Sequence, residues 1–491
     1  MSDLLSETIL NTAVVEELPW QAEPQDVFAP IAQHPFSMFL DSSDTVHTPG
    51  RWSILVCEPF ETLSLNVRAN PNPFEALRTR MSRFRIPPHW HAELAERLQN
   101  QPPPFLGGAV GLFGYELAAC LESLPNMPRN RHHADMVVGL YDSLLAFDHH
   151  AKRVFSISTG LRESEGAARE NLSRYWAERW RTRMAHAARA KHKRNSANLP
   201  PARVIHWRSN FTRASYEAAV ARIVRYIRAG DIFQANLSRR FELHLDSDDP
   251  AFAFYRRLRK ISPAPFSAFL NLGKRTILSS SPERFLESRD GHVRAQPIKG
   301  TRPRGTSPKH DRANATDLLN SAKDRAENIM IADLLRNDIS KVALPHSVGV
   351  ANLCTLKQFA NVHHLVSTVT GKLRDKFDSL DLLAACFPGG SITGAPKPRA
   401  MEIISELEGI ERGAYCGAIG YIGFDGSMDA SIAIRTISMF GNIANFHVGG
   451  GVVLDSNPSG EYEETVAKGW AMAQALSDEA ERVFTSEKVT Q

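Results

Sequence analysis

The chain has 491 residues, 43% of them hydrophobic and 23% charged, so it is long enough for two or three ordinary globular domains. The formal net charge of +4 is spread thinly, and no aromatic-interleaved basic run predicts a nucleic-acid partner. No apolar stretch approaches about 18 residues and no basic leader precedes an apolar segment, which argues against a membrane partner and favours a cytoplasmic protein. Five cysteines without a CxxC pair fit a reducing compartment and argue against zinc.

In the first third of the chain, short apolar runs predict strands at Ser53 to Cys57 and Met136 to Tyr141. A glycine-rich piece, Gly107 to Gly114, lies between them. It does not predict a phosphate loop, because no lysine follows it and no helix opens directly behind it.

One compositional break divides the sequence. Residues 165 to 193 predict a polar helix whose second half is basic, and this basic run is most simply a solvated face of the helix. Asn195 to Pro201 predict a linker. We therefore expect an N-terminal region at 1–164, the helix and linker at 165–205, and a larger domain at 206–485.

After the break, strand-like and helix-like segments alternate, without an internal repeat or low-complexity tract. The predicted strands are Phe266 to Leu272, Ala418 to Phe424, Ser431 to Met439 and Gly451 to Leu454. The predicted helices are Arg213 to Ala229, Lys323 to Val342, Met401 to Glu408 and Glu461 to Phe484.

Lys299 lies in an otherwise uncharged run, Gln296 to Thr301. An amine there could act as a nucleophile if burial or neighbouring cations lowered its pKa from about 10.4. The run by itself favours an ordinary loop lysine, whose stem packs while its head reaches water.

Two predicted helices each carry a pair of acids three residues apart, Asp324 with Glu327 and Glu461 with Glu464. Residues at i and i+3 share a helix face, so two facing pairs would make an oxygen-rich site that suits Mg²⁺. Acids in a first helical turn also complement the helix dipole, and Glu464 with Lys468 is an ordinary i,i+4 ion pair.

The segment from Phe387 to Lys397 is rich in glycine and runs directly into a predicted helix. Small residues and free amides at a helix start predict an anion site, although a plain turn has the same composition. Arg435, inside a β-branched run, needs an anionic partner, and Gly449 to Gly451 allow close backbone approach.

Together these residues resemble the chorismate-utilising enzyme family. The motifs, in the family's order over roughly residues 210 to 475, are PIKGT around Lys299, DLLRND at 333–338, HLVS at 364–367, PGGSITGAPK at 388–397 and GGGVVLDSNPSGEYEET at 449–465. The N-terminal part matches more weakly, at PFSMFLDS (35–42) and GLFGYE (111–116). The resemblance implies an α+β or α/β fold, with large mixed sheets packed as a β-sandwich core flanked by helices.

Two positions discriminate within the family. Members that activate water carry a lysine where this chain has Gln234, so hydroxylation of chorismate is not expected. Members that aminate chorismate at the ortho position resemble this chain closely but have alanine in place of Lys299, and alanine cannot form a covalent adduct.

The resemblance implies a transaminating-type amination of chorismate at C4, with glutamine or ammonia, to give 4-amino-4-deoxychorismate for 4-aminobenzoate and folate synthesis. Lys299 would attack C2, Glu283 would act as general acid and base, and ammonia would then displace the lysine. His364 matches a histidine near the leaving hydroxyl, where proton transfer and orientation are equally compatible with the sequence.

The resemblance also implies the remaining binding residues. Mg²⁺ would be held by Glu327 and Glu464, with help from Asp324 and Glu461. The expected substrate contacts are Tyr415, Arg435, Lys468, Thr301, Thr393, Gly394, Ala395, Gly449, Gly450 and Gly451.

No nucleophile-elbow cysteine of a glutaminase is found, so ammonia is expected from a separate glutaminase subunit in a heterodimer. Some relatives hold tryptophan in a sandwich pocket, which the N-terminal region could share. Two alternatives stay open: an anthranilate-forming relative with an unusual lysine, and an inactive chorismate-fold protein that only regulates or binds a glutaminase.

Overall fold

A computed structural model describes residues 7–10, 12–44, 50–98, 101–124, 126–128, 133–164, 166–191, 203–246, 250–359 and 362–478. Its strands are β1 Glu7–Leu10, β2 Ala13–Leu18, β3 Met38–Asp41, β4 Trp52–Val56, β5 Glu61–Leu65, β6 Gly108–Phe113, β7 Met136–Tyr141, β8 Ser143–Asp148, β9 Arg153–Ser158, β10 Arg203–Ser209, β11 Gln234–Asp246, β12 Phe266–Asn271, β13 Thr276–Ser281, β14 Arg284–Arg289, β15 His292–Ala295, β16 Ile298–Pro303, β17 Gly349–Gln358, β18 Val362–Lys372, β19 Gly394–Ala395, β20 Ala418–Gly423, β21 Met428–Ile432, β22 Thr436–Phe440 and β23 Ile443–Val452.

The α-helices are α1 Pro24–Phe28, α2 Pro73–Met81, α3 Pro88–Arg97, α4 Ala167–Lys191, α5 Arg213–Arg228, α6 Ala251–Ile261, α7 Pro308–Asn320, α8 Ala322–Ser340, α9 Ser379–Cys386, α10 Lys397–Glu408 and α11 Pro458–Leu476. Short 3-10 turns cover Ala29–Ile31, Tyr115–Cys120 and Gly390–Ile392. Within the described ranges, no helix combines the length and the apolar character needed to cross a bilayer.

Two large sheets form the centre of the fold. Across the described residues the first has 13 strands, in the order β1-β2-β9-β8-β4-β3-β12-β13-β22-β23-β11-β10 with β19 on β11. The second has 10 strands, in the order β16-β18-β15-β14-β21-β20-β6-β7-β5 with β17 on β18. Strands from before and after the predicted linker enter both sheets, so each half of the chain completes the other's hydrogen-bond ladders.

The predicted fold class, large sheets flanked by helices, is confirmed, with one correction. The sheets were expected to be mixed, but the strand pairs of the described chain are antiparallel. The physical reason is connection length: many neighbours, such as β8 with β9 and β12 with β13, are joined by short turns, whereas parallel pairing requires a crossover of a dozen or more residues.

Side chains that alternate along the strands of the first sheet build two separate cores. Met38 and Ile54 face the second sheet and join the core between the sheets. Their neighbours Phe39 and Leu55 point the opposite way, into a core that Trp180 of α4 and residues of α6 and α11 cover. The period of two thus places one sheet between a partner sheet and a helical layer.

Helices α5 and α10 cover the end of β11 that leads to the candidate site. α5 begins at a capping box of Thr212 and Ser215, and its Ile223 packs with Ile403 of α10 and Leu237 of β11. This small core fixes β11 at the place where it meets β19 and β23.

A cavity of about 550 Å³ lies between the two sheets. Its walls include Ile54 and Ala268 from the first sheet and Ile419 and Met428 from the second. Ligand-binding measurements would test whether this cavity is the expected tryptophan pocket.

Most predicted elements agree with the structure to within a few residues, and Met136–Tyr141 agrees at both ends. The strand expected from Ser431 to Met439 is wrong as one element, because the chain breaks at Arg435, with a φ of 51°, between β21 and β22. The strand expected to begin at Gly451 is instead the end of β23. The predicted linker at 195–201 lies outside the described residues, and the domain division stays a prediction.

Candidate active site

The candidate site centres on Lys299, which lies in β16 opposite Leu365 of β18. The register of this strand pair shifts between Lys299 and Thr301, where Gly300 has a φ of 78°. A bulge with glycine in the left-handed region re-aims the side chains beside it. The Lys299 amine donates a hydrogen bond of 2.9 Å to the backbone carbonyl of Ser391, in the loop before α10.

The pKa of Lys299 lies below its usual value because burial disfavours the ammonium form. The carboxylates of Glu327, Glu283 and Glu464 oppose this shift, and the ammonium group of Lys468 adds to it. An amine with a lowered pKa is neutral for a larger fraction of the time near pH 7, and the neutral form is the nucleophile. The surroundings of Lys299 therefore favour nucleophilic chemistry.

Glu283 lies between β13 and β14 and is only 4% exposed. Its Oε1 accepts a weak hydrogen bond of 3.4 Å from the backbone amide of Ile298, next to Lys299. Burial raises the pKa of Glu283, while the Ser391 hydroxyl and the Lys299 charge oppose the rise. A carboxyl group in this environment holds a proton at higher pH than usual, as a general acid must.

Ser391 lies beside both groups, because its carbonyl accepts from Lys299 and its hydroxyl opposes the rise in the pKa of Glu283. Ser391 lies in the loop that the sequence predicted to bind an anion, but no role was predicted for Ser391 itself. A serine in a glycine-rich loop indicates conformational freedom and does not indicate which groups it will contact.

His364 lies in β18 beside the bulge and is 3% exposed. Its Nδ1 is 3.2 Å from the carbonyl oxygen of Gly300 and 3.0 Å from the hydroxyl of Thr301. A carbonyl oxygen only accepts, so Nδ1 carries the proton and Nε2 is the acceptor. Nε2 is buried without a hydrogen-bond partner among the described residues.

Burial lowers the pKa of His364 to about 3, and the positive charge of Arg435 adds to this shift. The imidazole is therefore neutral near pH 7. Its free Nε2 can accept a hydrogen bond from a bound hydroxyl or amine, so of the two roles left open by the sequence, the geometry favours orientation.

The two predicted acid pairs lie on α8 and α11, and one acid of each pair, Glu327 and Glu464, acts on the charge of Lys299. Glu327 has a raised pKa, chiefly from burial, with smaller contributions from Asp324 and Glu464. On α11, a Cβ added to Gly450 would lie 3.1 Å from Oε2 of Glu461 and 3.4 Å from Oε1 of Glu464. Both carboxylates therefore project over the glycine strand.

Each acid also has a partner within the protein. Glu461 accepts a hydrogen bond of 2.6 Å from the Ser456 hydroxyl, and Asp324 lies 3.2 Å from Arg302. Glu464 pairs with Lys468 at 2.6 Å, and this ammonium group lowers the pKa of Glu464. The i,i+4 ion pair expected from the sequence is therefore present.

Within the described chain, no three His, Cys, Asp or Glu side chains are grouped closely enough to hold a metal ion. The donor chemistry nevertheless fits Mg²⁺, because every candidate ligand is a carboxylate oxygen. The pKa of Glu327 is raised partly by other carboxylates, an unfavourable repulsion that a bound cation would relieve.

Arg435 is partly buried, and burial lowers its pKa. Its guanidinium forms no hydrogen bond or ion pair with the described residues, although its backbone carbonyl accepts from the Ser280 amide at 3.1 Å. Since buried guanidinium groups are rarely left unpaired, Arg435 is available to bind an anion.

Strand β11 separates the two glycine-containing segments of the site. Gly394 and Ala395, which form β19, pair with one edge of β11. Gly449, Gly450 and Gly451 of β23 pair with the other edge. Thr393 is buried, and its hydroxyl donates to the carbonyl of Gly389 at 3.0 Å.

Gln234, at the start of β11, lies against Gly451 and has no exposed surface. A Cβ on Gly451 would be 2.2 Å from the Gln234 amide nitrogen and 3.6 Å from the Lys299 amine. Both polar atoms of the Gln234 amide lack partners among the described residues. Buried amides are normally hydrogen-bonded, so both polar atoms of Gln234 are available to a ligand.

Tyr415 is buried, and its ring stacks on His447 with centroids 5.1 Å apart. The Arg412 guanidinium lies 5.6 Å from the Tyr415 centroid and pairs with Glu408 at 2.7 Å. The sequence analysis missed this pair. A spacing of four predicts a surface ion pair on one helix, but α10 ends at Glu408, and Gly409, with a φ of 66°, turns the chain.

Comparison with known proteins decides the family. The family of chorismate binding enzymes matches residues 45–474. The chain belongs to this family. The chain is 42% identical over 475 residues to an aminodeoxychorismate synthase component 1 from Salmonella typhimurium, covering 95% of this chain and 98% of that relative.

Two other relatives are named anthranilate synthases. An anthranilate synthase component 1 from Geobacillus stearothermophilus is 37% identical over 483 residues, covering 94% of this chain and 92% of that relative. The crystal structure of anthranilate synthase component I from Streptococcus pneumoniae superposes with a TM-score of 0.72 at 30% identity, covering 87% of this chain and 93% of that one. The predicted membership of the chorismate-utilising family is thus confirmed, and the protein is an enzyme of that family.

Proposed function

We propose that this chain aminates chorismate at C4 with ammonia, giving 4-amino-4-deoxychorismate through a covalent adduct between Lys299 and C2. The observation that carries the proposal is the Lys299 amine, held 2.9 Å from the Ser391 carbonyl and close enough to Glu283 for the two groups to shift each other's pKa. The proposed nucleophile and the proposed acid therefore both lie beside the same loop residue, Ser391. Relatives named aminodeoxychorismate synthase component 1 support the same assignment.

The proposed reaction consists of two allylic displacements. The neutral amine of Lys299 forms a bond to C2, the ring double bond shifts, and the C4–O bond breaks as Glu283 protonates the departing hydroxyl to water. Ammonia then forms a bond to C4, the double bond returns, and the C2–N bond to Lys299 breaks. Glu283 takes the proton released by the new amine, so both residues regain their starting states.

Arg435 and Lys468 supply positive charge for the carboxylates of the substrate. Arg435 lacks a protein partner in the described chain, and Lys468 bonds the Gly449 carbonyl at 3.0 Å as well as Glu464. We assign Arg435 to the enolpyruvyl carboxylate, with Lys468 and Tyr415 beside it. Neutral His364 would accept a hydrogen bond from the C4 hydroxyl through Nε2 and orient it for protonation.

The four carboxylates of α8 and α11 would hold Mg²⁺, with Glu327 and Glu464 as the principal ligands and Asp324 and Glu461 assisting. When bound, this cation would neutralise the ring carboxylate of chorismate and lower the repulsion between that group and the acids. The protein side of the proposal is testable without turnover, because binding of Mg²⁺ would lower the raised pKa of Glu327.

We assign the supply of ammonia to a separate glutaminase subunit. Relatives named component 1 support a partner component. With free ammonium in place of this partner, the chain is expected to catalyse the amination alone.

The decisive experiment is incubation of the purified chain with chorismate, Mg²⁺ and ammonium. The products are identified by mass spectrometry before and after addition of a lyase that releases 4-aminobenzoate. Formation of 4-aminobenzoate only after the lyase supports the proposal, whereas direct formation of fluorescent anthranilate supports the ortho-aminating alternative. No conversion of chorismate supports the inactive alternative.

Lys299→Ala tests the nucleophile, with Lys274→Ala on the exposed β12–β13 turn as a matched control. The Lys299 variant is expected to form no covalent adduct in acid-quenched samples and to lose most aminodeoxychorismate formation. Wild-type synthesis by that variant would refute the nucleophilic role.

A further inference from the structure

Arg412 is a buried cation that lies behind the candidate active site instead of in it. Its side chain and that of Glu408 are each 1% exposed. Nε of Arg412 donates to Glu408 at 2.9 Å and Nη2 donates to it at 2.7 Å. This two-point pairing leaves further guanidinium N–H groups directed at other parts of the fold.

Those N–H groups reach two backbone carbonyls of the site. Nη1 donates to Ile392 at 3.1 Å, and Nη2 donates to Asn236 at 2.6 Å. Ile392 directly follows Ser391, the acceptor of the Lys299 amine. Arg412 therefore connects the loop that receives Lys299 with β11.

Glu408 strengthens the same connection. Its Oε1 accepts from the Ser238 backbone amide at 2.7 Å and from the Ser238 hydroxyl at 2.9 Å, so α10 is also tied to β11. The guanidinium of Arg412 also lies near two aromatic rings, 4.8 Å from the ring centroid of Tyr115 and 5.6 Å from that of Tyr415. One side chain thus contacts α10, β11, the Ser391 loop and two buried tyrosines.

We propose that the Arg412–Glu408 pair positions the catalytic groups of this enzyme, by fixing the Ser391 carbonyl and hydroxyl against β11. Neither residue touches the reacting atoms. They act through Ser391, which sets the location of the Lys299 amine relative to Glu283. The inference rests on the proposed function for the catalytic roles of Lys299 and Glu283.

The geometry requires arginine. A guanidinium holds five N–H donors in a rigid planar fork, whereas a lysine ammonium has three donors at one point and cannot reach Glu408, Ile392 and Asn236 together. A buried ion pair by itself contributes little net stability, so stability alone does not explain the two further hydrogen bonds to backbone carbonyls. Placement of the backbone carbonyls does explain them.

Arg412→Lys and Glu408→Gln test the inference, with Arg162→Lys as the matched control. Arg162 pairs with buried Asp142 in the N-terminal half at 2.6 Å and has no hydrogen bond or ring contact with the candidate site in the described chain. Thermal unfolding first identifies a temperature at which all the variants are folded. At that temperature, kcat and KM for chorismate are measured with ammonium as the nitrogen source.

Because displacement of a catalytic group by about 1 Å can lower a rate about 100-fold, both site variants are expected to lose kcat by roughly this factor. KM for chorismate should change less than about threefold, because the groups assigned to its carboxylates are untouched. The control should retain wild-type kcat even if its melting temperature falls. A folded Arg412→Lys variant with wild-type kcat would overturn the inference.

A second measurement does not depend on chorismate. Lys299 is labelled with an amine reagent across a pH series, and the extent is read by peptide mass spectrometry. Its pH midpoint should differ between wild type and Arg412→Lys but not between wild type and Arg162→Lys. Identical midpoints refute positioning, whereas a wild-type protein that fails to aminate chorismate refutes the proposed function without affecting this comparison.

Discussion

The neutral state of His364 makes a quantitative prediction about acid stability. The pKa of this buried imidazole is about 3 in the folded protein, against about 6.5 in an unfolded chain. Between these values the unfolded state binds a proton that the folded state does not, so stability must fall as the pH drops from 6.5 towards 3. At pH 5.0 the loss from this one group is about 2 kcal/mol relative to pH 7.5.

His364→Asn isolates this contribution. An asparagine amide can donate to the Gly300 carbonyl as Nδ1 does, but it does not titrate. The variant also loses the edge contact of His364 with Phe359, so it should be less stable at every pH. The prediction therefore concerns the pH dependence, and His447, whose pKa is also lowered, contributes equally to both proteins.

The assay is urea-induced unfolding of both proteins at pH 7.5 and pH 5.0, with the midpoint and slope fitted at each pH. The wild type should lose about 2 kcal/mol more than the variant between the two conditions. In ¹³C-histidine spectra, the signal absent from the variant should remain that of a neutral imidazole at pH 5.0. Equal losses of stability, or a signal that titrates near pH 6.5, would refute the buried neutral state.

Three further predictions concern the site. Glu283→Gln should lower kcat, measured by steady-state kinetics, by about 10²- to 10⁴-fold because the general acid is lost. The same variant should not lower the free energy of unfolding at pH 8, measured with urea, because burial of this carboxylate is unfavourable. Arg435→Lys should raise KM for chorismate about tenfold through loss of two-point carboxylate binding, and an unchanged KM would contradict the assignment. Gly451→Ala should reduce kcat because its Cβ would lie 2.2 Å from Gln234, whereas Gly349→Ala, with no atom within 4 Å of the new Cβ, should not.

The linear patterns in the sequence predicted much of the fold. A continuous apolar run located β7, which is buried along its whole length. Helical patterns located α5 and α8 to within about two residues, because each helix buries one face against a neighbouring layer. The sequence predicted one strand around Arg435 where the structure has two. A break at a positive φ in a non-glycine residue has no local sequence signature. Strand pairing direction was also beyond reach, because it depends on contacts between distant segments.

For the site, the sequence supplied the chemical groups and the family order of the motifs. Residue type and spacing made Lys299 and the acids of two helices candidates, although each also had an ordinary structural explanation, and the family resemblance added Glu283. The sequence could not assign roles to Ser391, Arg412 or Glu408, whose significance arises from hydrogen bonds between segments far apart in the chain.

The sequence by itself therefore indicated the family, the candidate reactive side chains and the period of most elements, all of which are properties of residue type and spacing. Only the tertiary structure decided that Lys299 faces Ser391, that the imidazole of His364 is neutral, and that Arg435 has no partner in the described chain. The physical reason is that burial and hydrogen-bond geometry set pKa values and orientations, and both depend on how strands from the two halves of the chain pack together.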